Sequence, residues 1–247
     1  MTSLPSTLKV VSLVPSVTET LRALGVTPIA CTRFCEQPDL PTVGGTKDPD
    51  VAQISSLKPD LVVVNDEENR LEDVDRLREL GLPIHEMSPR SVADVGPAVA
   101  ALAEEVKAEV PEPFGRETWQ AWLEERRRQR SGEPRRTFVL VWRRPWMTLA
   151  GDTYGSSLLQ LLGCVNVFTG QGVRYPTVEL AEAAGRMPDL VLLPTEPYPF
   201  KDRHVGEVAE GLPGTEVVIV DGQDLFWWGI RTPAAVDRLA AAIPLGG

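Results

Sequence analysis

Histidine, cysteine and positive charge are scarce in this chain. Two His and three Cys occur among 247 residues, and 35 acidic against 25 basic side chains leave a formal net charge of −10. So few His and Cys predict neither a disulfide framework nor a metal centre held by several such ligands. The negative charge argues against binding to nucleic acid or anionic membranes, because both need a basic protein surface.

Long apolar runs and enzyme motifs are absent as well. No segment reaches the roughly 18 apolar residues of a membrane span, and the first nine residues show no export-signal pattern. We therefore expect a cytoplasmic protein without membrane insertion, or an extracytoplasmic one if a leader was removed. The sequence also has no nucleophile elbow, phosphate-binding loop or His-Glu-x-x-His motif, which favours a non-catalytic function.

What the sequence does contain is one pattern that occurs twice. In residues 10–64 an apolar strand leads through a turn and a helix ending in Leu-Gly to a Lys-Pro-Asp segment and a second apolar strand. Residues 138–193 repeat that order, with Met-Pro-Asp before the last strand. Such apolar runs suit strands that are buried on both faces of a parallel sheet. The repeat predicts two Rossmann-like, parallel-sheet α/β lobes with a ligand cleft between them.

The segment between the two copies predicts a single long α-helix that joins the lobes. Apolar residues recur at helical spacing from Val92 to Val106 within 91–110, and Pro111 would end the helix. We therefore expect an N-terminal lobe over 1–90, the linking helix and a following helix over 91–130, and a C-terminal lobe over 131–247.

Two short patterns make local predictions. Ser16-Val17-Thr18-Glu19 has the spacing of a capping box, which predicts a helix capped by the Ser16 side chain. Cys31 and Cys35 are separated by three residues. On an extended chain their side chains would lie too far apart for a disulfide, and without nearby His or further Cys a zinc site is not expected.

The ordered set of motifs resembles a known superfamily. It consists of Pro15-Ser16-x-Thr18-Glu19, Leu57-Lys58-Pro59-Asp60-Leu61-Val62, Leu162-Gly163-Cys164-Val165-Asn166-Val167-Phe168 and Pro188-Asp189-Leu190-Val191. In this order the motifs resemble the helical-backbone metal receptors, which have the class III periplasmic-binding-protein fold and supply cobalamin, ferric siderophores or haem to ABC importers. The resemblance implies non-catalytic binding of a metal chelate or corrinoid-like cofactor, with no intrinsic cofactor and no metal held by the protein itself.

One departure from the superfamily concerns the partner. Transport members usually carry a surface Glu on each lobe, just ahead of the Pro-Asp strand, which meets Arg residues of the permease. Alignment on Pro59 and Pro188 puts Ala52 and Ala181 at those positions. Docking on an ABC permease is therefore doubtful, although four carboxylates lie nearby as possible substitutes, namely Asp48, Asp50, Glu179 and Glu182.

The candidate binding residues lie in loops that should follow the carboxyl ends of the strands, where ligands bind in open parallel sheets. Aromatic side chains there would form rigid walls for a flat or macrocyclic ligand, and Arg and Lys would pair with its acidic groups. The alternative is that the Trp side chains merely pack under loops. The candidates are Ser16, Thr18, Arg33, Phe34, Cys35, Thr46, Lys47, Trp142, Arg143, Trp146, Asp152, Thr153, Tyr154, Glu196, Tyr198, Phe200, Trp228 and Arg231.

A second reading of the same loops is catalytic. In that reading the chain is a cytosolic enzyme on the same fold that acts on a related cofactor, with Glu67, Glu68, Asp152 or Glu196 as acid or base. The ligand expected in the first reading is a corrinoid, haem or a ferric chelate.

Overall fold

The computed structural model describes residues 8–130 and 132–244, and the contacts divide the chain into two compact units. The first unit comprises Met1–Ser88 and Gly96–Arg116, and the second comprises Pro89–Val95 and Glu117–Gly247. Each unit contains its own sheet and its own apolar core. The predicted lobe boundaries at 90 and 130 stay a prediction.

The first unit is built on a four-stranded, fully parallel sheet in the order β2-β1-β3-β4. Its central strands consist of buried Val and Leu with one Ser, as expected for a sheet covered on both faces. The strands are β1 (Val10–Ser12), β2 (Ala30–Cys31), β3 (Leu61–Val64) and β4 (Ile84–Glu86). The helices between them are α1 (Pro15–Ala23), α2 (Val51–Leu57) and α3 (Leu71–Glu79).

The second unit has a five-stranded sheet in which β7 pairs with β5 beside the order β6-β5-β8-β9. Its strands are β5 (Arg135–Trp142), β6 (Met147–Thr148), β7 (Cys164–Asn166), β8 (Leu190–Pro194) and β9 (Glu216–Val220). All pairs are parallel except β5 with β6, because the four-residue turn that joins them is too short for a parallel crossover. The helices that follow α3 are α4 (Val92–Glu105), α5 (Arg116–Arg128), α6 (Tyr154–Leu161), α7 (Leu180–Gly185), α8 (Asp202–Gly211), α9 (Gly222–Phe226) and α10 (Thr232–Ala242).

The repeated Pro-Asp motif makes the same backbone contact in both units. Lys58 and Met187 turn the chain out of α2 and α7 with φ of 47° and 48°. The Asp that follows each Pro then accepts a hydrogen bond from the backbone at the start of the neighbouring strand. Asp60 Oδ2 lies 2.8 Å from Lys9 N, and Asp189 Oδ2 lies 2.8 Å from Arg136 N. The internal repeat read from the sequence is therefore a structural repeat.

The predicted linking helix is present but shorter than expected. α4 has 14 residues and ends at Glu105, not near Pro111. The physical reason is a left-handed residue, since Lys107 has φ of 56° and Ala108 N then donates to Ala103 O at 2.8 Å. That this helix is the only connection stays a prediction.

The predicted capping box at Ser16 is wrong. α1 begins at Pro15, its N-cap is Val14, and no side chain caps it. A proline at the first position of a helix loses nothing, because its missing N–H would have no partner there. The helix therefore starts one residue before the predicted cap, and Ser16 lies inside it.

Candidate functional site

In the first unit, one buried amide joins the loops at the carboxyl edge of the sheet. Asn69 Nδ2 donates to Leu13 O at 3.2 Å, after β1, and to Thr46 O at 3.0 Å, in the loop between β2 and α2. Its Oδ1 accepts from Asn65 N at 2.9 Å, directly after β3. Asn69 therefore fixes three loops relative to one another, including the loop that carries the predicted Thr46 and Lys47.

A second asparagine shapes the acidic segment after β3. Asn65 Oδ1 accepts from the backbone N–H of Glu67 at 2.8 Å and of Glu68 at 2.9 Å. Lys47 Nζ donates to the carbonyl of Glu67. Burial raises the pKa of Glu68, Lys47 lowers that pKa, and Glu67 raises it again. Neither Asn65 nor Asn69 was predicted from the sequence, and the available signal was an Asn directly after a buried strand.

The predicted residues Arg33 and Phe34 form an exposed pair in the first unit. The Phe34 side chain is 51% exposed, and the Arg33 guanidinium lies 4.9 Å from its ring centroid. Arg33 Nη2 also donates to both carboxylate oxygens of Asp48, at 2.8 and 3.0 Å. These two side chains present an aromatic face and a cation to solvent.

Three other candidates of the first unit are buried, namely Ser16, Thr18 and Cys35. The Thr18 hydroxyl donates to Cys35 Sγ at 3.2 Å, and Thr32 Oγ1 lies 3.2 Å from the same sulfur. Cys31 and Cys35 pack with Leu40 in one buried cluster and both are free cysteines, so whether they lie too far apart for a disulfide stays a prediction. The chain is not extended here, because Cys35 N donates to Thr32 O at 3.1 Å and closes a turn.

In the second unit, four predicted aromatic residues form one contiguous set. Trp142, 42% exposed, contacts Tyr198 edge-on with ring centroids 5.6 Å apart. Tyr198 packs on the buried Phe200 at 4.7 Å, and Trp146 stacks on Phe200 at 6.4 Å. We call Trp142, Trp146, Tyr198 and Phe200 the aromatic set. It joins the turn after β5 to the loop after β8.

Arg143 adds a positive charge to the aromatic set. Its guanidinium lies 5.6 Å from the Trp146 ring centroid and donates to Glu207 through Nε at 2.9 Å and Nη2 at 2.8 Å. This bidentate pair raises the pKa of Arg143. His204 packs edge-on against Tyr198 and Phe200, and burial lowers its pKa. Arg143 and His204 therefore pack against three of the four rings of the aromatic set, those of Trp146, Tyr198 and Phe200.

The remaining second-unit candidates make structural contacts. The buried Tyr154 hydroxyl lies 3.2 Å from Thr232 Oγ1, and burial raises its pKa. Thr153 caps α6, and its Oγ1 accepts from Ser156 N at 3.3 Å. Trp228 is buried, and Arg231 lies over the Trp227 ring at 4.8 Å.

Close packing against the first residue of α9 also fixes the backbone at the predicted Glu196. A Cβ at Gly222, the first residue of α9, would lie 2.5 Å from Glu196 N. The glycine therefore lets the loops after β8 and β9 meet.

A polar cavity of about 490 Å³ also lies in the second unit. Its lining includes one predicted residue, Asp152, which is exposed. The other lining groups include Asp94 at the start of α4, Ser156 on α6 and Asn166 at the end of β7. Among the residues that the structure describes, no group of three or more His, Cys, Asp or Glu is placed to hold a metal ion.

Comparison with known proteins identifies the family. The sequence profile of the family described as periplasmic binding protein matches residues 10–207. The chain belongs to this family. Curated relatives are the vitamin B12-binding proteins of Vibrio cholerae serotype O1, 25% identical over 190 residues, and of Yersinia pestis, 27% identical over 196 residues. The alignments cover 74% of this chain and 69% of the Vibrio protein, and 75% and 69% for the Yersinia protein.

Solved structures of periplasmic binding proteins share the fold of this family member. The periplasmic vitamin B12 binding protein of Vibrio cholerae superposes with a TM-score of 0.78 at 23% identity, covering 95% of each chain. The periplasmic haem binding protein of the same organism superposes with a TM-score of 0.80 at 21% identity, covering 96% of this chain and 98% of that one. These matches confirm the predicted two-lobed α/β fold, and the family profile confirms the predicted superfamily.

Membership of a binding-protein family confirms the prediction of a non-catalytic binding function over the enzyme alternative. Across the described residues, no helix combines the length and the apolar character that a membrane crossing requires.

Proposed function

We propose that this protein binds a metal chelate or corrinoid-like ligand of the cobalamin, haem or ferric-siderophore class. The observation that carries the proposal is the aromatic set, whose outer member Trp142 is 42% exposed beside a fixed Arg143. A flat or macrocyclic ligand stacks well on such rings, and its acidic groups pair with guanidinium. The names of the relatives support the ligand class, since they bind vitamin B12 or haem.

The first unit offers a similar combination on a smaller scale. Phe34 gives an exposed ring, Arg33 lies over it, and Lys47 reaches the loop after β3. We propose that these side chains also contact the ligand. That both sets of loops share one ligand stays a prediction.

The proposal is tested by titrating the protein with cyanocobalamin, haem and a ferric hydroxamate siderophore while following tryptophan fluorescence. Trp142→Ala should weaken binding of the true ligand about tenfold to hundredfold, because a central aromatic anchor contributes about 1.4–2.8 kcal/mol. Trp122→Ala is the matched control, since Trp122 stacks on Trp119 in α5, away from these loops. Equal effects of the two substitutions would contradict the site, and no binding to any of the three ligands would contradict the ligand class.

We further propose that the protein does not dock on a conventional importer. Ala52 and Ala181 are the second residues of α2 and α7, and both are exposed at equivalent places in the repeat. Nearby carboxylates already have partners. Asp50 accepts from Gln53 N at 2.9 Å, and Glu182 pairs with Arg186 at 3.0 Å.

A permease that meets a carboxylate on each lobe would lose both contacts here, and each lost charge pair can cost about 2–5 kcal/mol. This supports handling of the ligand in the cytoplasm. The test is binding to a cobalamin-type permease in lipid nanodiscs, with the Vibrio cholerae vitamin B12-binding protein as positive control, together with fractionation of native cells. A stable complex, or protein found outside the cytoplasmic membrane, would refute the proposal.

A further inference from the structure

The end of β2 and the turn that follows it carry a pair of thiols that the proposed binding function does not use. Cys31 ends β2 and Cys35 follows the turn, and both side chains are 1% exposed. They pack together with Leu40 in a small cluster of their own. Two of the three Cys in the chain are therefore buried in one cluster, with three residues between them in sequence.

The surroundings of the pair favour a thiolate at Cys35 but not at Cys31. Hydroxyl groups of Thr18 and Thr32 lie 3.2 Å from Cys35 Sγ. The Cys31 thiol and these hydroxyls lower the pKa of Cys35 to about 6 against the opposing effect of burial. The same contact and burial raise the pKa of Cys31. These contacts favour the thiolate, which is the nucleophilic form, at Cys35 and the protonated thiol at Cys31.

We propose that Cys31 and Cys35 form a redox-active dithiol, a modification site that closes to an intramolecular disulfide by exchange with a low-molecular-weight disulfide. The Cys35 thiolate attacks one sulfur of the small disulfide and forms a mixed disulfide, and the first small thiolate leaves. The Cys31 thiol then gives up its proton to the first small thiolate and attacks the Cys35 sulfur, so the second small thiolate leaves and takes a proton from solvent. The two protein sulfurs are oxidised, and one small disulfide is reduced to two small thiols.

Two features make closure favourable after the first attack. Cys31 and Cys35 already lie in one buried cluster, so the second step costs little ordering of the chain. Once Cys35 carries the mixed disulfide it is no longer an anion, and its part in raising the Cys31 pKa is removed. Access requires only that the short turn with its exposed Arg33 and Phe34 opens, and closure would fix that turn.

The positions of the basic residues give a direct test on the unmodified chain. Trypsin cleaves after Arg33, which separates Cys31 and Cys35 into the peptides 23–33 and 34–47. The folded protein is treated with hydroxyethyl disulfide, the remaining thiols are alkylated, and the digest is analysed by mass spectrometry with and without reduction. We expect the two peptides to be linked without reductant and separate with it. Cys164, buried in the second unit, lies in another peptide and serves as the internal control.

Other results would overturn the inference. Separate hydroxyethyl adducts on the two peptides would show that the pair does not close. Linkage that appears only in urea would show that the folded protein does not carry out the exchange. In Cys31→Ser, or in Cys31→Ala if that variant does not fold, the link should be replaced by a lasting adduct on Cys35. The readout needs no ligand, so a failure here is distinct from a failure of the proposed function.

Discussion

Hydroxyl groups add to the effect of the Cys31 thiol in lowering the pKa of Cys35. The Thr18 hydroxyl lies 3.0 Å from Val14 O and 3.2 Å from Cys35 Sγ, and its one proton is divided between these two acceptors. A hydrogen bond to a thiolate stabilises the charged form, so the hydroxyl acts on acidity as well as on stability.

Removal of the Thr18 hydroxyl should separate its effect on the Cys35 pKa from its effect on stability. We expect Thr18→Val to raise the Cys35 pKa and to lower the free energy of unfolding by about 1 kcal/mol. Thr20→Val is the control, because the Thr20 hydroxyl is also buried in α1 and donates to Ser16 O at 2.9 Å. It should reduce stability similarly without moving the thiol titration. Thiolate absorbance against pH and urea unfolding measure the two quantities, and equal pKa values in both variants would contradict the role of Thr18.

The same lowered pKa predicts a pH-dependent stability. The Cys31 thiol and the nearby hydroxyls lower the pKa of Cys35 to about 6, well below that of a free thiol. A group with a lowered folded pKa adds stability above its unfolded pKa and loses that contribution as the pH falls through the folded value. The free energy of unfolding should therefore fall from pH 9 to pH 6 more steeply in the wild type than in Cys35→Ser. Urea unfolding at several pH values measures this, and parallel profiles would be contrary to the assignment.

At the level of elements, the repeat rests on a helix end and the strand that follows it. α2 and α7 both end at a residue with left-handed φ, followed by Pro and by an Asp that binds the neighbouring strand. Neither residue at the left-handed position is glycine, although only glycine adopts that conformation without strain.

Glycine at either of these positions should stabilise the protein. Lys58 and Met187 are exposed, so Lys58→Gly and Met187→Gly remove little packing and relieve strain of about 1 kcal/mol each. Gln53→Gly, exposed inside α2, should instead destabilise by about 1 kcal/mol. Thermal and urea unfolding would show the sign, and destabilisation at both turns would argue against the shared helix end.

At the scale of the whole molecule, the net charge of −10 repels a ligand that carries acidic groups. In each unit the loops predicted to bind ligand carry basic side chains beside aromatic rings, Arg33 over Phe34 in the first unit and Arg143 and Arg231 over Trp146 and Trp227 in the second. Local charge near the ligand matters more than the total, because salt screens distant charges.

Ligand binding should raise the free energy of unfolding of the whole chain. A ligand present at 100 times its Kd stabilises the folded state by about 2.7 kcal/mol. We expect one member of the corrinoid, haem and siderophore panel to raise the melting temperature of the wild type, and a smaller shift in Trp142→Ala at the same concentration. A rise with all three ligands that Trp142→Ala leaves unchanged would indicate non-specific binding.

Local sequence patterns determined the elements, the repeat and the family. Apolar runs placed β1, β3, β5 and β8, and the Pro-Asp motifs marked the strands that follow α2 and α7. These features depend on residues close in the chain, so periodicity and turn chemistry are enough to predict them.

Only the tertiary structure decided which residues meet. It brought Cys31 against Cys35 through a turn, placed Asn69 between loops up to 56 residues away, and ended α4 at a left-handed Lys107. It also gathered Trp142, Trp146, Tyr198 and Phe200, while Tyr154 became a partner of Thr232. Such contacts depend on loop conformation and on side chains that are distant in sequence, and no local pattern of hydrophobicity or spacing encodes either of these.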